Sequence, residues 1–154
     1  MAPGHSQLAA EVALRAKRMN TFQIIILALS GCALFYASSM RLIKPDMANF
    51  IQTYSENPTN NLEKDTDLLN EIRGVGAVML LGGIMVLLGI SIPGFRQTSF
   101  AIAAVIFVGV VVGRLISNGL DGMPNPQIMR ATIIEAVLGA LNTFCLISAL
   151  RADT

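Results

Sequence analysis

The chain reads as all-α, an integral membrane four-helix bundle preceded by a short N-terminal amphipathic helix. Composition is the first reason. Of its 154 residues 53% are hydrophobic and only 14% charged, where a soluble domain carries about 25% charged residues. The second reason is four apolar stretches, 22–40, 72–92, 99–118 and 130–150, each near the roughly 20 residues a helix needs to cross a 30 Å hydrocarbon layer. Third, these runs are too long and too uniformly apolar for the alternating strands of a membrane barrel. The organisation expected is an N-terminal helical extension (1–21), a four-span domain (22–150) and a tail (151–154).

The extension, Ser6–Asn20, is rich in Ala and Leu and contains no Gly or Pro. Leu8, Val12 and Met19 recur near helical spacing while Arg15 and Lys17 can reach lipid phosphates, the pattern of an interfacial helix. A plain helical extension of the first span is the competing reading. Within that span, Leu29-Ser30-Gly31-Cys32 matches the box before a lipidated bacterial cysteine. The apolar core ahead of Cys32 is only Phe22–Leu29, however, and the run continues through Ala33–Ala37 where a lipoprotein would enter a polar tether. Ala37-Ser38-Ser39 is a similarly weak match to a secretory cleavage site. The segment is therefore read as a retained span.

Pro45 then opens a short helix, Asp46–Tyr54, with Met47, Phe50 and Ile51 on one face for the membrane interface. The run from Asn57 to Asn61 breaks the chain, and Pro58 disqualifies Asn57 as a glycosylation acceptor. Pro93-Gly94 forms the turn between spans two and three, and Met123-Pro124-Asn125-Pro126 the turn between three and four. Short turns join antiparallel neighbours, so spans two, three and four are expected side by side.

A net charge of +1 gives no sign of a nucleic-acid partner. The single His5 stands in a polar tail without a companion ligand, so no metal site is expected. Cys32 and Cys145 lie in apolar runs and read as small hydrophobes rather than a disulfide. With no Trp in the chain, Tyr36, Tyr54, Phe95 and Phe100 are the candidate interface aromatics. Four spans put both termini on one side. That side holds Arg15, Lys17, Arg18, Arg96 and Arg151, the other Arg41, Lys44, Lys64, Arg73 and Arg130. The counts are equal, and the Arg15–Arg18 cluster ahead of the first span favours cytoplasmic termini.

Two charges interrupt the apolar runs. Arg114 falls in the third span and Glu135 in the fourth. A charge at mid-helix costs about 2.5–3.5 kcal/mol on insertion scales, so it normally faces protein and pairs. Both lie at similar depth in consecutive antiparallel spans, which predicts an Arg114–Glu135 pair. Glu71 and Arg73 open the second span at the same end of the bundle, and Asp121 closes the third. A five-membered network of Glu71, Arg73, Arg114, Asp121 and Glu135 is the expectation. It reads either as a structural tie between helices or as a polar pocket for a small molecule, lipid headgroup or proton. A carboxylate pair such as Glu71 and Glu135 could do acid–base work, but no nucleophile, metal cluster or cofactor motif accompanies it, so neither catalysis nor a cofactor is expected. For packing, Gly109-x-x-x-Gly113, Ala136-x-x-x-Ala140 with Gly139, and Gly76, Gly82 and Gly83 are the small residues that let helices approach. Gly76/Gly83 and Gly82/Gly89 are each a heptad apart, giving the second span two small faces.

Glu71-Ile72-Arg73-Gly74-Val75-Gly76, Gly82-Gly83, Gly113-Arg114, Asp121-Gly122 and Glu135 together resemble the pattern of a bacterial family of small four-span membrane proteins known only as a domain of unknown function. The resemblance extends from about Phe22 to Leu150. It implies the four-helix membrane fold, places the five charged residues in the family motif and implies no activity. The charged extension before Thr21 and the polar loop around 57–67 depart from the family pattern. The function expected is a non-catalytic accessory or structural subunit, in a bacterial inner membrane, whose partners are the bilayer and other membrane-protein subunits. A lipid- or small-molecule-binding protein, such as a carrier, using a polar pocket at one end of the bundle is the alternative.

Overall fold

The computed structural model describes residues 20–45 and 66–152. The interfacial helices expected before Asn20 and after Pro45, and the polar loop around 57–67 up to Asp65, lie outside the described residues. Four helices follow one another: α1 (Thr21–Ile43), α2 (Thr66–Ser91), α3 (Arg96–Leu120) and α4 (Pro126–Ala152), with a 3₁₀ turn, Pro93–Phe95, between α2 and α3. All four are long and apolar enough to cross a membrane. They extend beyond the apolar runs at their ends. α2, for instance, begins six residues before position 72, because Thr66–Glu71, although it carries Thr66, Asp67, Asn70 and Glu71, still winds as helix.

Local chemistry sets the boundaries. Asn20 and Gln23 form a reciprocal cap at the start of α1: the Asn20 Oδ1 accepts from the Gln23 backbone N–H at 2.8 Å, and Gln23 Oε1 accepts from the Asn20 N–H at 3.3 Å. That pairing satisfies two N–H groups that the first turn leaves without helical partners. α3 stops at Asp121, whose N–H donates to the Ser117 carbonyl at 2.7 Å. Gly122 then takes φ of 97°, a left-handed conformation that costs glycine nothing. Asn125 caps α4 through its Oδ1, 2.9 Å from the Ile128 N–H, and Pro126 occupies the first helical position, where no N–H is needed.

The sequential neighbours α2–α3 and α3–α4 pack side by side, as the short turns require. The most extensive contact is nevertheless α1 with α2, although a long segment joins them, and the α1–α4 seam is thin. Glycines explain the first of these. A Cβ on Gly83 would stand 3.1 Å from Leu34 Cβ and 3.2 Å from the Phe35 backbone nitrogen, and one on Gly76 would stand 2.9 Å from Arg41 Cβ. On the α3-facing side, Gly82 leaves room for Ile106 and Gly89 for Ser99. The two small faces of α2 are both internal, one for each neighbour.

Gly139 is a contact too, its absent Cβ accommodating Val108 and Phe107 of α3. Four of the expected packing residues are not. A Cβ on Gly109 or Gly113 would meet nothing within 4 Å, and Ala136 and Ala140 are exposed. α3 turns Ala103 and Phe107 inward instead, and a residue two positions along a helix from an inward one falls on nearly the opposite side. The G-x-x-x-G and A-x-x-x-A spacings are present, but on the outer surface.

Phe100, Phe107, Leu27, Leu34, Val86, Leu138 and Cys145 build the core, with Met79 filling the space between them. Three polar contacts knit it. Ser99 Oγ donates to the Met85 carbonyl at 2.7 Å, tying α3 to α2. Asn142 Nδ2 donates to Ser30 Oγ at 2.7 Å, tying α4 to α1, and Ser38 Oγ donates back to the Leu34 carbonyl. Large apolar side chains such as Leu81, Val105 and Phe144 face outward, which suits a lipid surface. Cys32 and Cys145 are free thiols.

Gly83→Ala is expected to force α1 and α2 apart and lower stability by about 1–3 kcal/mol. Gly109→Ala should instead hold or raise it by up to about 1 kcal/mol through helix propensity alone. Reversible denaturation in detergent micelles checks both, and equal losses would contradict this packing.

Candidate functional site

Arg114 and Glu135 meet at the α3–α4 interface, at the end of the bundle that holds the α1 C-terminus and the α2 N-terminus. Arg114 Nη2 donates to Glu135 Oε1 at 3.0 Å, and Nη1 lies 3.0 Å from Oε2. Nη1 also donates to the Ile128 carbonyl at 3.2 Å and to Thr132 Oγ1 at 3.0 Å. Its two hydrogens are therefore directed at Ile128 and Thr132, and Oε2 is held by charge rather than along an N–H axis. Thr132 Oγ1 in turn donates to the Ile128 carbonyl at 2.8 Å.

Helix periodicity produces this set. Ile128, Thr132 and Glu135 fall at i, i+4 and i+7, one face of α4, and that face meets Arg114 near the C-terminal end of α3. The planar guanidinium offers five donors in a fork, so one arginine can serve a carboxylate, a hydroxyl and a carbonyl together. The side chains of Arg114 and Glu135 are 19% and 16% exposed, shielded enough for the pairing to matter.

The other three expected members do not join. Asp121 accepts from Ser117 Oγ at 2.8 Å within the end of α3, a local contact that satisfies it. Glu71 and Arg73 are both exposed on α2, and two residues apart on a helix they point to different sides. Glu71 lies instead at the edge of an open cleft of about 580 Å³ between α2 and α3, with Asn70, Gly74, Val78 and Gly109. The five-membered network is thus corrected to a pair with its α4 hydrogen-bond partners.

One charged neighbour was missed. Arg41, in the last turn of α1, lies near enough for its charge to act on both Glu135 and Arg114. Its Nη1 donates to the Ala37 carbonyl at 3.2 Å, and its Cβ packs over Gly76. The first apolar run ends at Met40, so Arg41 reads in sequence as a loop residue; the helix continues to Ile43 and carries it into the bundle. Thr132 was recoverable, standing three residues before Glu135 on the same face. Ser30 gave no such sign, its sequence context pointing to processing rather than packing.

Among the described residues no three His, Cys, Asp or Glu side chains converge on a metal position. Chemically, the cluster can fix helix register and neutralise charge. Its carboxylate is already engaged, with two cations around it.

The family model for a domain of unknown function, DUF4345, matches residues 22–146. The chain belongs to this family. The match begins in the first turn of α1 and ends inside α4, so it takes in all four helices and both members of the ion pair. Neither the curated proteins nor the solved structures give a match.

Arg114→Leu is expected to cost up to roughly 3–5 kcal/mol, since it removes the cation in contact with Glu135 and leaves only the charge of Arg41 to act on a shielded carboxylate. Arg114→Leu combined with Glu135→Leu should recover most of that loss. Folded yield and unfolding midpoint in detergent test it; a double variant less stable than either single one would contradict the pairing.

Proposed function

We propose that the chain is a non-catalytic accessory subunit of a larger membrane assembly, seated in a bacterial inner membrane with both termini cytoplasmic. The observation that carries this reading is the division of its polar and small residues between inside and outside. The intramembrane charges are used up in holding α3 to α4. Ala136 and Ala140, by contrast, lie exposed on α4 beside Ile133, Val137, Phe144 and Ile147. Small residues on an outer helix face let a second helix approach closely, and close approach drives helix association where both surfaces are already in apolar surroundings.

The orientation rests on Arg15, Lys17 and Arg18 ahead of α1, since positive charge within reach of a span end favours the cytoplasm. Arg96 and Arg151 lie at that same end of the bundle. A ligand between Arg114 and Glu135 finds less support, because the guanidinium and the carboxylate are already in contact.

Gentle detergent extraction followed by native electrophoresis tests the proposal. The expected result is migration of the intact chain within a larger complex, and release of the Ala136→Phe/Ala140→Phe variant as a folded monomer. Migration of the unaltered chain solely as a free monomer would overturn it.

A further inference from the structure

The cleft between α2 and α3 has a division of chemistry that the ion pair and the α4 surface do not explain. Its polar residues, Asn70 and Glu71, stand together at one end, and Val78, Met79, Val105 and Ile106 line the remainder. Gly74 and Gly109 line it, and a Cβ at either would stand in open space with nothing within 4 Å. Met79, buried in the core, closes its inner wall. From Asn70 to Met79 α2 rises by about 14 Å. This is close to the hydrocarbon depth of one leaflet, about 15 Å, with the polar end where α2 starts and therefore toward the membrane surface.

We propose that this cleft holds one bilayer lipid with a primary ammonium headgroup, its acyl chain lying over Gly74 and Gly109 and its ammonium against Glu71. Length and polarity fit an acyl chain with its head at Asn70 and Glu71; charge selects the kind of head. Glu71 is a carboxylate on the cleft, Asp67 lies one turn earlier on the same side of α2, and Asp121 closes α3 at the same end of the bundle. Arg73 is turned away from Glu71 by helix geometry, and Arg114 is engaged with Glu135 on the α4 side. Glu71 is the one charged residue among those that line the cleft, so an ammonium is attracted there; Arg41, Lys44 and Arg130, at the same end of the bundle, are not among the lining residues. The Asn70 amide, both donor and acceptor, can serve the lipid phosphate. This site is separate from the α4 face assigned to protein partners, so either can fail without the other.

Native mass spectrometry of the full chain tests the assignment. The chain is stripped of lipid in neutral detergent and offered equal amounts of phosphatidylethanolamine and phosphatidylglycerol with matched acyl chains. Retention of the ethanolamine lipid should exceed that of the glycerol lipid by about two- to fivefold, the factor an exposed ion pair supplies. Glu71→Gln should abolish the preference, and Gly109→Leu should fill the cleft and remove the bound lipid of either kind while the unfolding midpoint is held. Gly74→Leu serves as the second filling variant if Gly109→Leu melts early. Equal retention of the two lipids by the unaltered chain, a preference for the glycerol lipid, or undiminished lipid on a stable filled variant would each overturn the proposal. So would a filled variant that loses a dimer while keeping its lipid, which would give the cleft to a second copy of the chain.

Discussion

A guanidinium and a carboxylate placed within apolar helices restrict the bundle more than any apolar contact does. Hydrocarbon offers neither ion a partner, so each must find one across a helix interface. The Arg114–Glu135 contact meets that requirement and fixes three things together: which faces of α3 and α4 meet, their relative depth, and the tight turn Gly122–Asn125 that joins them. Sliding α4 by one residue would turn Glu135 away by about a quarter of a turn and separate it from Arg114. The hydrogen bonds from Arg114 to Ile128 and Thr132 resist the same movement from the other side.

At the opposite side of the bundle the constraint is steric. α1 and α2 approach closely because Gly76 and Gly83 remove side chains where Arg41 and Leu34 need space. In lipid, burial of apolar surface between helices gains little over contact with acyl chains, so packing and hydrogen bonding have to supply the association. The Gly76 contact also brings the charged side into play, since it carries Arg41 toward Glu135. The fold therefore has two coupled halves, a glycine-packed pair α1–α2 and an ion-paired α3–α4, with α2 against α3 through Gly82, Gly89 and Ser99. The buried Asn142–Ser30 hydrogen bond spans the thin α1–α4 seam.

The four spans, their turns and the central ion pair were all readable in the sequence because each follows from a strong local cost: apolar length, proline and glycine geometry, and isolated charge. What resisted reading was direction around the helix axis. Gly109-x-x-x-Gly113 and Gly82–Gly83 look alike on paper, and only the helices that surround each decide that the former is outside and the latter inside. Glu71 and Arg73 failed as network members for a related reason, since sharing an end of the bundle does not place side chains on a shared face. Arg41 reads as a loop residue because the apolar run ends at Met40, whereas hydrogen bonding carries α1 on to Ile43. The family match, residues 22–146, takes in residues of all four helices and both members of the ion pair.

The ion pair requires Glu135 to be ionised while held within the bundle. Infrared difference spectroscopy between the unaltered chain and Glu135→Gln, both in lipid bilayers at neutral pH, reads this directly. Loss of a carboxylate stretching band on substitution is the predicted result. Loss of a protonated carboxyl C=O band, with the carboxylate region unchanged, would show that the chain carries a neutral acid there and would contradict the ion pair on which the architecture rests.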